Sequence, residues 1–109
     1  MAFRLAKKRT VKWPVTIQIP ADGGKVTPAT ITAEFEVLDT EEIDRVGNEG
    51  GDVLSRALIG WHGVADEDGN DIPFTEENKK SFLGITYVRA ALYNAYAEVQ
   101  QGRAAARKN

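Results

Sequence analysis

The sequence of 109 residues is long enough for one domain whose hydrophobic core is stable without disulfides or metal ions. Its 14 basic and 16 acidic residues leave a net charge of -2, which provides no general attraction to nucleic acid or to an anionic membrane. The chain has no cysteine, which excludes disulfides, thiolate metal sites and cysteine nucleophiles.

The apolar runs of the sequence are short. None approaches the ~20 residues that a helix needs to cross a bilayer. Residues 1–9 carry charge without the apolar stretch of a secretory signal. We therefore expect a cytoplasmic protein that has no membrane partner.

The N-terminal residues 1–10 are basic, and we interpret them as a flexible, solvated tail. The alternative is a patch that binds nucleic acid or an acidic protein. Four charges beside a single aromatic residue, Phe3, are weak evidence for that alternative, and we do not expect nucleic acid as a partner. The four cations are Arg4, Lys7, Lys8 and Arg9.

Two segments with period-two alternation follow the tail, at residues 11–20 and 29–38. Alternation of apolar and polar residues predicts strands with one buried face. Adjacent glycines in residues 21–25 favour a turn between them, so we expect an antiparallel hairpin. The apolar positions are Val15, Ile17 and Ile19 in the first strand and Ile31, Ala33, Phe35 and Val37 in the second.

Two short helices are predicted after the hairpin. Asp39 is the expected N-cap of the first helix, which ends at the glycine-rich residues 47–51. Asp52 is the expected N-cap of the second helix, which runs through Ile59 and ends at Gly60.

A loop over residues 61–74 separates these helices from one long helix over residues 75–102. Thr75 is a good N-cap for the long helix, and Gly84 lies inside it and weakens it slightly. Apolar residues at spacings of three and four form its core-facing stripe. The stripe consists of Phe82, Ile85, Val88, Leu92, Ala95, Tyr96 and Val99.

The pattern as a whole predicts a single α+β domain over residues 11–102. Its architecture is an N-terminal antiparallel β-hairpin followed by two short helices and one long C-terminal helix. Residues 103–109 form a basic C-terminal tail, whose cations suit the negative end of a helix.

No combination of residues in the sequence predicts catalysis. His62 is the only histidine, and neither Ser55 nor Ser81 lies in a nucleophile motif. The glycines of residues 47–51 do not match a phosphate-binding pattern. We therefore expect a protein that is not an enzyme and needs no cofactor.

The acidic segment after His62 matches part of a calcium-binding loop. The position where an EF-hand needs glycine for its sharp turn is occupied by Asp71. We therefore do not expect a metal site and interpret the segment as a turn in which Asp and Asn side chains accept backbone hydrogen bonds and Gly69 has positive φ. The matching residues are Asp66, Asp68, Asn70 and Glu77.

Aromatic side chains are the candidate protein-interaction residues. Trp61 is either a core residue, which we favour, or an anchor for a partner. Tyr87 and Tyr93 lie off the apolar stripe of the long helix, which suggests a second contact face and a possible homo-oligomer. The candidate residues are Trp61, Phe74, Tyr87, Tyr93 and Tyr96.

Three short segments resemble the tail assembly chaperones of long-tailed bacteriophages and prophages. The first is the turn Gly60-Trp61-His62-Gly63-Val64, and the second is the acidic turn from Asp68 through Ile72-Pro73-Phe74-Thr75 to Glu77. The third is the helical segment Ala91-Leu92-Tyr93-Asn94-Ala95-Tyr96. The resemblance covers about residues 52–100, and the N-terminal hairpin is similar to the same family in a less specific way.

The resemblance implies a small, non-catalytic protein of the infected bacterial cytoplasm. Members of this family bind the tape measure protein, keep its apolar helices soluble and help recruit the major tail protein. Two alternatives remain open: a structural tail or head-tail joining protein that stays in the virion, and a small nucleic-acid-binding protein that uses the basic N-terminus.

Overall fold

The alternating segments form a long antiparallel hairpin of two strands, β1 (Thr10–Ala21) and β2 (Lys25–Glu36). The structure is a computed structural model that describes residues 1–105. Gly23 and Gly24 have φ angles of 79° and 75° at the turn, which residues with a Cβ rarely adopt. The predicted hairpin and its turn are confirmed.

One face of the hairpin is apolar and lies in the core. Its buried residues occupy odd positions, whereas the even positions carry mostly polar side chains on the opposite face. This alternation follows from the period of two in a strand. The buried residues are Val15, Ile17, Ile31, Ala33 and Phe35.

The prolines of the hairpin lie at positions that do not take part in the hydrogen bonds between β1 and β2. The N–H of Val37 donates to the carbonyl of Arg9 at 2.8 Å, so in this register the odd-numbered residues of β1 form the backbone hydrogen bonds to β2. Even positions therefore direct their backbone groups away from the partner strand. All three prolines of the hairpin, Pro14, Pro20 and Pro28, occupy even positions, where a missing N–H blocks the addition of another strand.

Helix α1 (Thr40–Asn48) begins and ends with side-chain and glycine caps. The Asp39 carboxylate accepts a hydrogen bond from the Glu42 N–H at 2.8 Å, which confirms the predicted N-cap. At the other end Gly50 has a φ of 74°, and the N–H of Gly51 donates to the carbonyl of Val46 at 2.8 Å. This arrangement is a Schellman motif, which satisfies the last carbonyls of the helix.

Helix α2 (Val53–Ala57) is shorter than predicted, because the chain continues as strand β3 (Leu58–His62). The Asp52 cap is confirmed by its hydrogen bond from the Leu54 N–H at 3.2 Å. The predicted helix through Ile59 and the stop at Gly60 are wrong.

Strand β3 extends the hairpin to a three-stranded sheet in the order β1-β2-β3. Ala33 pairs with Trp61 and Glu34 with Gly60 in its antiparallel register with β2. A Cβ at residue 60 would lie 2.9 Å from the Glu34 Oε1 atom, so glycine leaves room for that side chain. A short apolar run fits a helix or a strand equally by periodicity, and here the unpaired edge of β2 favours the strand.

The predicted long helix consists of two helices, α3 (Glu76–Leu83) and α4 (Thr86–Gln101). The Thr75 hydroxyl accepts a hydrogen bond from the Asn78 N–H at 3.1 Å, which confirms the predicted N-cap. The interpretation of Gly84 as an interior residue is wrong, since it ends α3, and Ile85 adopts an extended conformation before α4 begins.

Helix α4 lies on the apolar face of the sheet and supplies four of its buried residues to the core, Val88, Leu92, Ala95 and Tyr96. The rings of Phe35 and Tyr96 lie 5.1 Å apart. The Tyr96 hydroxyl accepts from the Leu38 N–H at 3.0 Å and donates to the Glu36 carbonyl at 2.9 Å. Burial raises the pKa of this phenol, which therefore stays neutral and keeps both bonds.

A chain of ion pairs joins β2 to α1 and α2. The Arg56 guanidinium contacts both carboxylate oxygens of Glu36, at 3.2 and 3.3 Å, and reaches Glu42 at 3.3 Å. Arg45 pairs with the same Glu42 at 2.6 Å. The hydrogen bond from Arg56 lowers the pKa of Glu36 below its ordinary value of 4.5, with a smaller contribution from Lys8.

The two predicted tails lie outside the helices and strands as far as the structure describes them, except for Thr10, which begins β1. Residues 1–9 precede β1 without regular secondary structure. At the other end Gly102 terminates α4 with a φ of 65°, and residues 103–105 continue without a helix or strand. The predicted tail over residues 106–109 lies outside the described residues.

Replacement of Tyr96 with Phe should destabilise the domain. The substitution leaves the Leu38 N–H and the Glu36 carbonyl without their partner, which costs ~1–3 kcal/mol for a buried polar group. Urea denaturation should show this loss for Tyr96→Phe and almost no change for Tyr93→Phe, the control, whose side chain is largely exposed. Equal stabilities of the two variants would show that the hydroxyl bridge contributes nothing.

The Glu36–Arg56 pair should make stability depend on pH. Because the pKa of Glu36 is lowered on folding, its contribution is complete above the ordinary carboxylate value and disappears as the pH falls through the folded-state pKa. Wild type should therefore exceed Glu36→Gln in free energy of unfolding at neutral pH, and the difference should vanish in acid. Thr27→Ser, an exposed change on β2 that adds or removes no ionisable group, is the control and should show no such dependence. A constant difference between wild type and Glu36→Gln at all pH values would contradict this assignment.

Candidate protein-interaction surface

Trp61 holds together the elements that follow the sheet. It is 8% exposed, and its indole N–H donates to the carbonyl of Ile72 at 2.8 Å. Its ring lies 4.8 Å from that of Phe74 in an edge-on arrangement and 5.0 Å from that of Phe82. The geometry agrees with the core role favoured above, because a buried indole with a satisfied N–H anchors both the connecting segment and α3.

The acidic segment after β3 is a closed turn. The Asp66 carboxylate accepts hydrogen bonds from the N–H groups of Asp68 and Asn70, at 2.9 and 3.0 Å, and Gly69 has a φ of 84°. These contacts confirm the predicted Asx-type turn. Among residues 1–105 no group of three or more His, Cys, Asp or Glu side chains is arranged to hold a metal ion.

Lys79 is a buried cation that sequence reasoning missed. Its ammonium group donates to the carbonyl of Ser55 at 2.9 Å, lies 3.4 Å from the Glu76 carboxylate and stands 5.7 Å from the centre of the Phe74 ring. These contacts tie α3 to the end of α2. No local pattern distinguishes Lys79 from the exposed Lys80, since only the packing of α3 decides which one turns inward.

The outward face of α4 is poor in charge. The helix contains two charged residues: Arg89, whose side chain is 43% exposed and pairs with Asp52 at 2.6 Å, and Glu98, which accepts from the Trp13 indole at 3.1 Å. Between them, residues 90–97 carry no charge. The outward residues are Thr86, Tyr87, Ala90, Tyr93, Asn94, Ala97, Gln100 and Gln101.

A groove of about 330 Å³ runs beside this face, between α4 and the segment that contains α1 and α2. Tyr93 and Ala97 line one side of it, and Ile43, Val53 and the carboxylate residue Asp52 line the other. The Tyr93 side chain is 66% exposed, the largest exposed fraction among large apolar residues of the helices and strands. Exposed aromatic surface is enriched at protein–protein interfaces.

The five predicted interaction residues do not form one patch. Trp61 and Tyr96 are buried, and Phe74 is half-buried against Trp61. Tyr87 and Tyr93 are exposed on α4, with exposed fractions of 37% and 66%. Only these two tyrosines therefore offer surface to a partner. The groove residues Ile43 and Val53 carried no signal in the sequence, because a half-buried aliphatic residue on a short helix looks like any core position.

Comparison with known protein families, curated proteins and solved structures gives no match to this chain. None of the helices within residues 1–105 has the length and apolar character that crossing a membrane requires.

Trp61→Ala should cost ~3–5 kcal/mol of stability, because it removes a large core side chain and leaves a cavity. Thermal and urea denaturation measure the loss. His62→Ala, the next residue of the same strand but exposed, should change stability by less than ~0.5 kcal/mol. A stable Trp61→Ala variant would instead identify Trp61 as a surface anchor.

Proposed function

We propose that the chain is a tail assembly chaperone of a long-tailed bacteriophage or prophage. It acts by transient, stoichiometric binding of the tape measure protein in the cytoplasm of the bacterial host, without catalysis. The observation that carries the proposal is the exposed Tyr93, on a face of α4 that is poor in charge, beside an open groove. The three motif segments of the sequence support it independently.

The groove is suited to an apolar helical segment of a client. Helix-in-groove recognition uses apolar anchors in a groove, and Tyr93, Ile43 and Val53 supply apolar surface here. Asp52 and Gln100, which also line the groove, offer polar contacts to the client helix. Tyrosine contributes large contact area at low entropic cost, and alanines at positions 90 and 97 allow close approach. The client helix gains by hiding apolar area from water, which is the driving force that chaperoning without ATP requires.

The break between α3 and α4 helps to present this face. Because Gly84 ends α3, the two helices are not one continuous rod. The side of α4 that faces the sheet is therefore not fixed by the packing of α3 against Trp61. Helix α4 then buries Leu92 and Tyr96 toward the sheet and leaves Tyr93 outward. Stability and binding are thus served by different faces of one helix.

Co-expression with the tape measure protein of the same phage or prophage tests the proposal. Wild-type protein should co-purify with the tape measure protein. Tyr93→Asp should reduce the recovered complex by roughly tenfold or more, because a charge is placed at the centre of a desolvated contact. Gln18→Asp, an exposed change on the hairpin, is the matched control and should leave the complex intact.

Mass spectrometry of purified virions separates the chaperone from a structural tail protein. A chaperone should be absent from the finished particle. Stoichiometric presence in the virion, together with no complex between wild-type protein and the tape measure protein, would overturn the proposal in favour of a structural role.

A further inference from the structure

Residues 1–9, here called the arm, expose apolar side chains that the rest of the domain does not cover. Phe3 is 84% exposed and Leu5 is 90% exposed, and both alternate with polar or small residues. Four cations accompany them. Among the described residues only Lys8 of these four makes an ion pair, with Glu36 at 3.7 Å. Within residues 1–105 the arm is therefore an apolar and basic segment whose apolar side chains remain uncovered.

A small apolar cleft lies next to Trp61, with a volume of about 140 Å³. That volume is of the order of one large apolar side chain, so the cleft can receive a phenylalanine or a leucine. Ile85, on its rim, is 39% exposed. The lining residues are Trp61, Val64, Ile72, Asn78, Ser81, Phe82 and Ile85.

The acidic turn stands directly at this cleft. The N–H of Ile72 donates to the carbonyl of Val64 at 2.9 Å, so two lining residues close the base of the turn over residues 65–71. The turn contains four acidic residues, and within residues 1–105 none of them makes an ion pair. Asp66 accepts backbone hydrogen bonds inside the turn, and the other three are Glu67, Asp68 and Asp71.

We propose that the arm of a second copy of this chain docks at the cleft. Phe3 or Leu5 enters the apolar cavity, and Arg4 and Lys7 lie against the acidic turn. The two surfaces are complementary in both respects, since each is apolar at its centre and each carries the charge that the other lacks. The occupant of the cleft is thus the arm of a second copy. The negative charge of the acidic turn favours this basic segment over other apolar segments.

The positions of the arm and the cleft favour exchange between copies. The arm leaves the sheet at the start of β1, whereas Trp61 lies on β3, the opposite edge strand. In the chain itself the arm stays exposed and the cleft stays open. Every copy carries one arm and one cleft, so two copies related by a two-fold axis satisfy both contacts at once. This dimer uses neither Tyr93 nor the groove, so it does not rest on the proposed function.

Disulfide trapping tests the contact directly, because the natural chain contains no cysteine. A Leu5→Cys chain and a Ser81→Cys chain, carrying tags of different mass, are mixed under mild oxidation. We expect a covalent heterodimer that forms much faster than one between Leu5→Cys and Lys25→Cys, the control in the exposed hairpin turn. Equal rates for the two pairs would overturn the proposal.

Charge reversal and truncation of the apolar side chains test the energetics. Sedimentation of the full-length chain from micromolar to millimolar concentration should show a dimer. Its dissociation constant should rise by roughly tenfold or more in Phe3→Ser/Leu5→Ser, whose exposed positions leave the fold unaffected. The Glu67→Lys/Asp68→Lys variant should also form a weaker dimer. Mixing it with the Arg4→Glu/Lys7→Glu variant should restore dimer formation, because the reversed charges again attract each other.

Two results would overturn the exchange. One is a chain that remains monomeric throughout this concentration range. The other concerns a Leu5→Cys/Ser81→Cys double variant. If its disulfide forms within one chain and no disulfide-linked dimer appears, the arm binds the cleft of its own chain. Binding of the tape measure protein is measured separately through Tyr93, so either proposal can fail while the other stands.

Discussion

The whole structure depends on covering one apolar face of a long hairpin. Two strands alone cannot hide that face from water, and an isolated hairpin is at best marginally stable. Helix α4 supplies the cover, with Leu92 and Tyr96 as its most enclosed contacts. The Tyr96 hydroxyl also bridges the backbone at Glu36 and Leu38, where the chain leaves the sheet, and so links the position of α4 to the path that leads into α1.

A second anchor at Trp61 organises the other half of the domain. Its indole N–H holds Ile72, and its ring contacts Phe74 and Phe82, which sets where the acidic turn and α3 lie relative to the sheet. The packing of Tyr96 and the packing of Trp61 leave different kinds of surface exposed. The packing of Tyr96 leaves the charge-poor face of α4 outward, whereas the packing of Trp61 leaves a cleft beside the acidic turn, whose carboxylates make no ion pair within residues 1–105.

These two surfaces suit two kinds of contact. The face around Tyr93 is broad, open and poor in charge, which suits the proposed transient binding of varied apolar segments. The cleft near Trp61 is small and flanked by negative charge, which suits the proposed binding of one particular segment. The groove and the cleft share no lining residue, so the two proposed contacts are compatible. The prolines at the hairpin edges also oppose association through strand addition.

The sequence by itself determined the features that depend on neighbouring residues. The hairpin follows from period-two alternation around Gly23 and Gly24, and the caps at Asp39, Asp52 and Thr75 follow from side chains that reach their own backbone. The Asx-type turn after β3 was predictable for the same reason.

Only the tertiary structure decided the remaining features, because each depends on a residue distant in the chain. Residues 58–62 form a strand because β2 offers an unpaired edge. Gly84 ends α3, although an isolated glycine inside a helical pattern is compatible with a continuous helix. Likewise, Tyr93 and Tyr96 are the same residue type three positions apart on one helix. Their different exposure follows from which side of α4 meets the sheet.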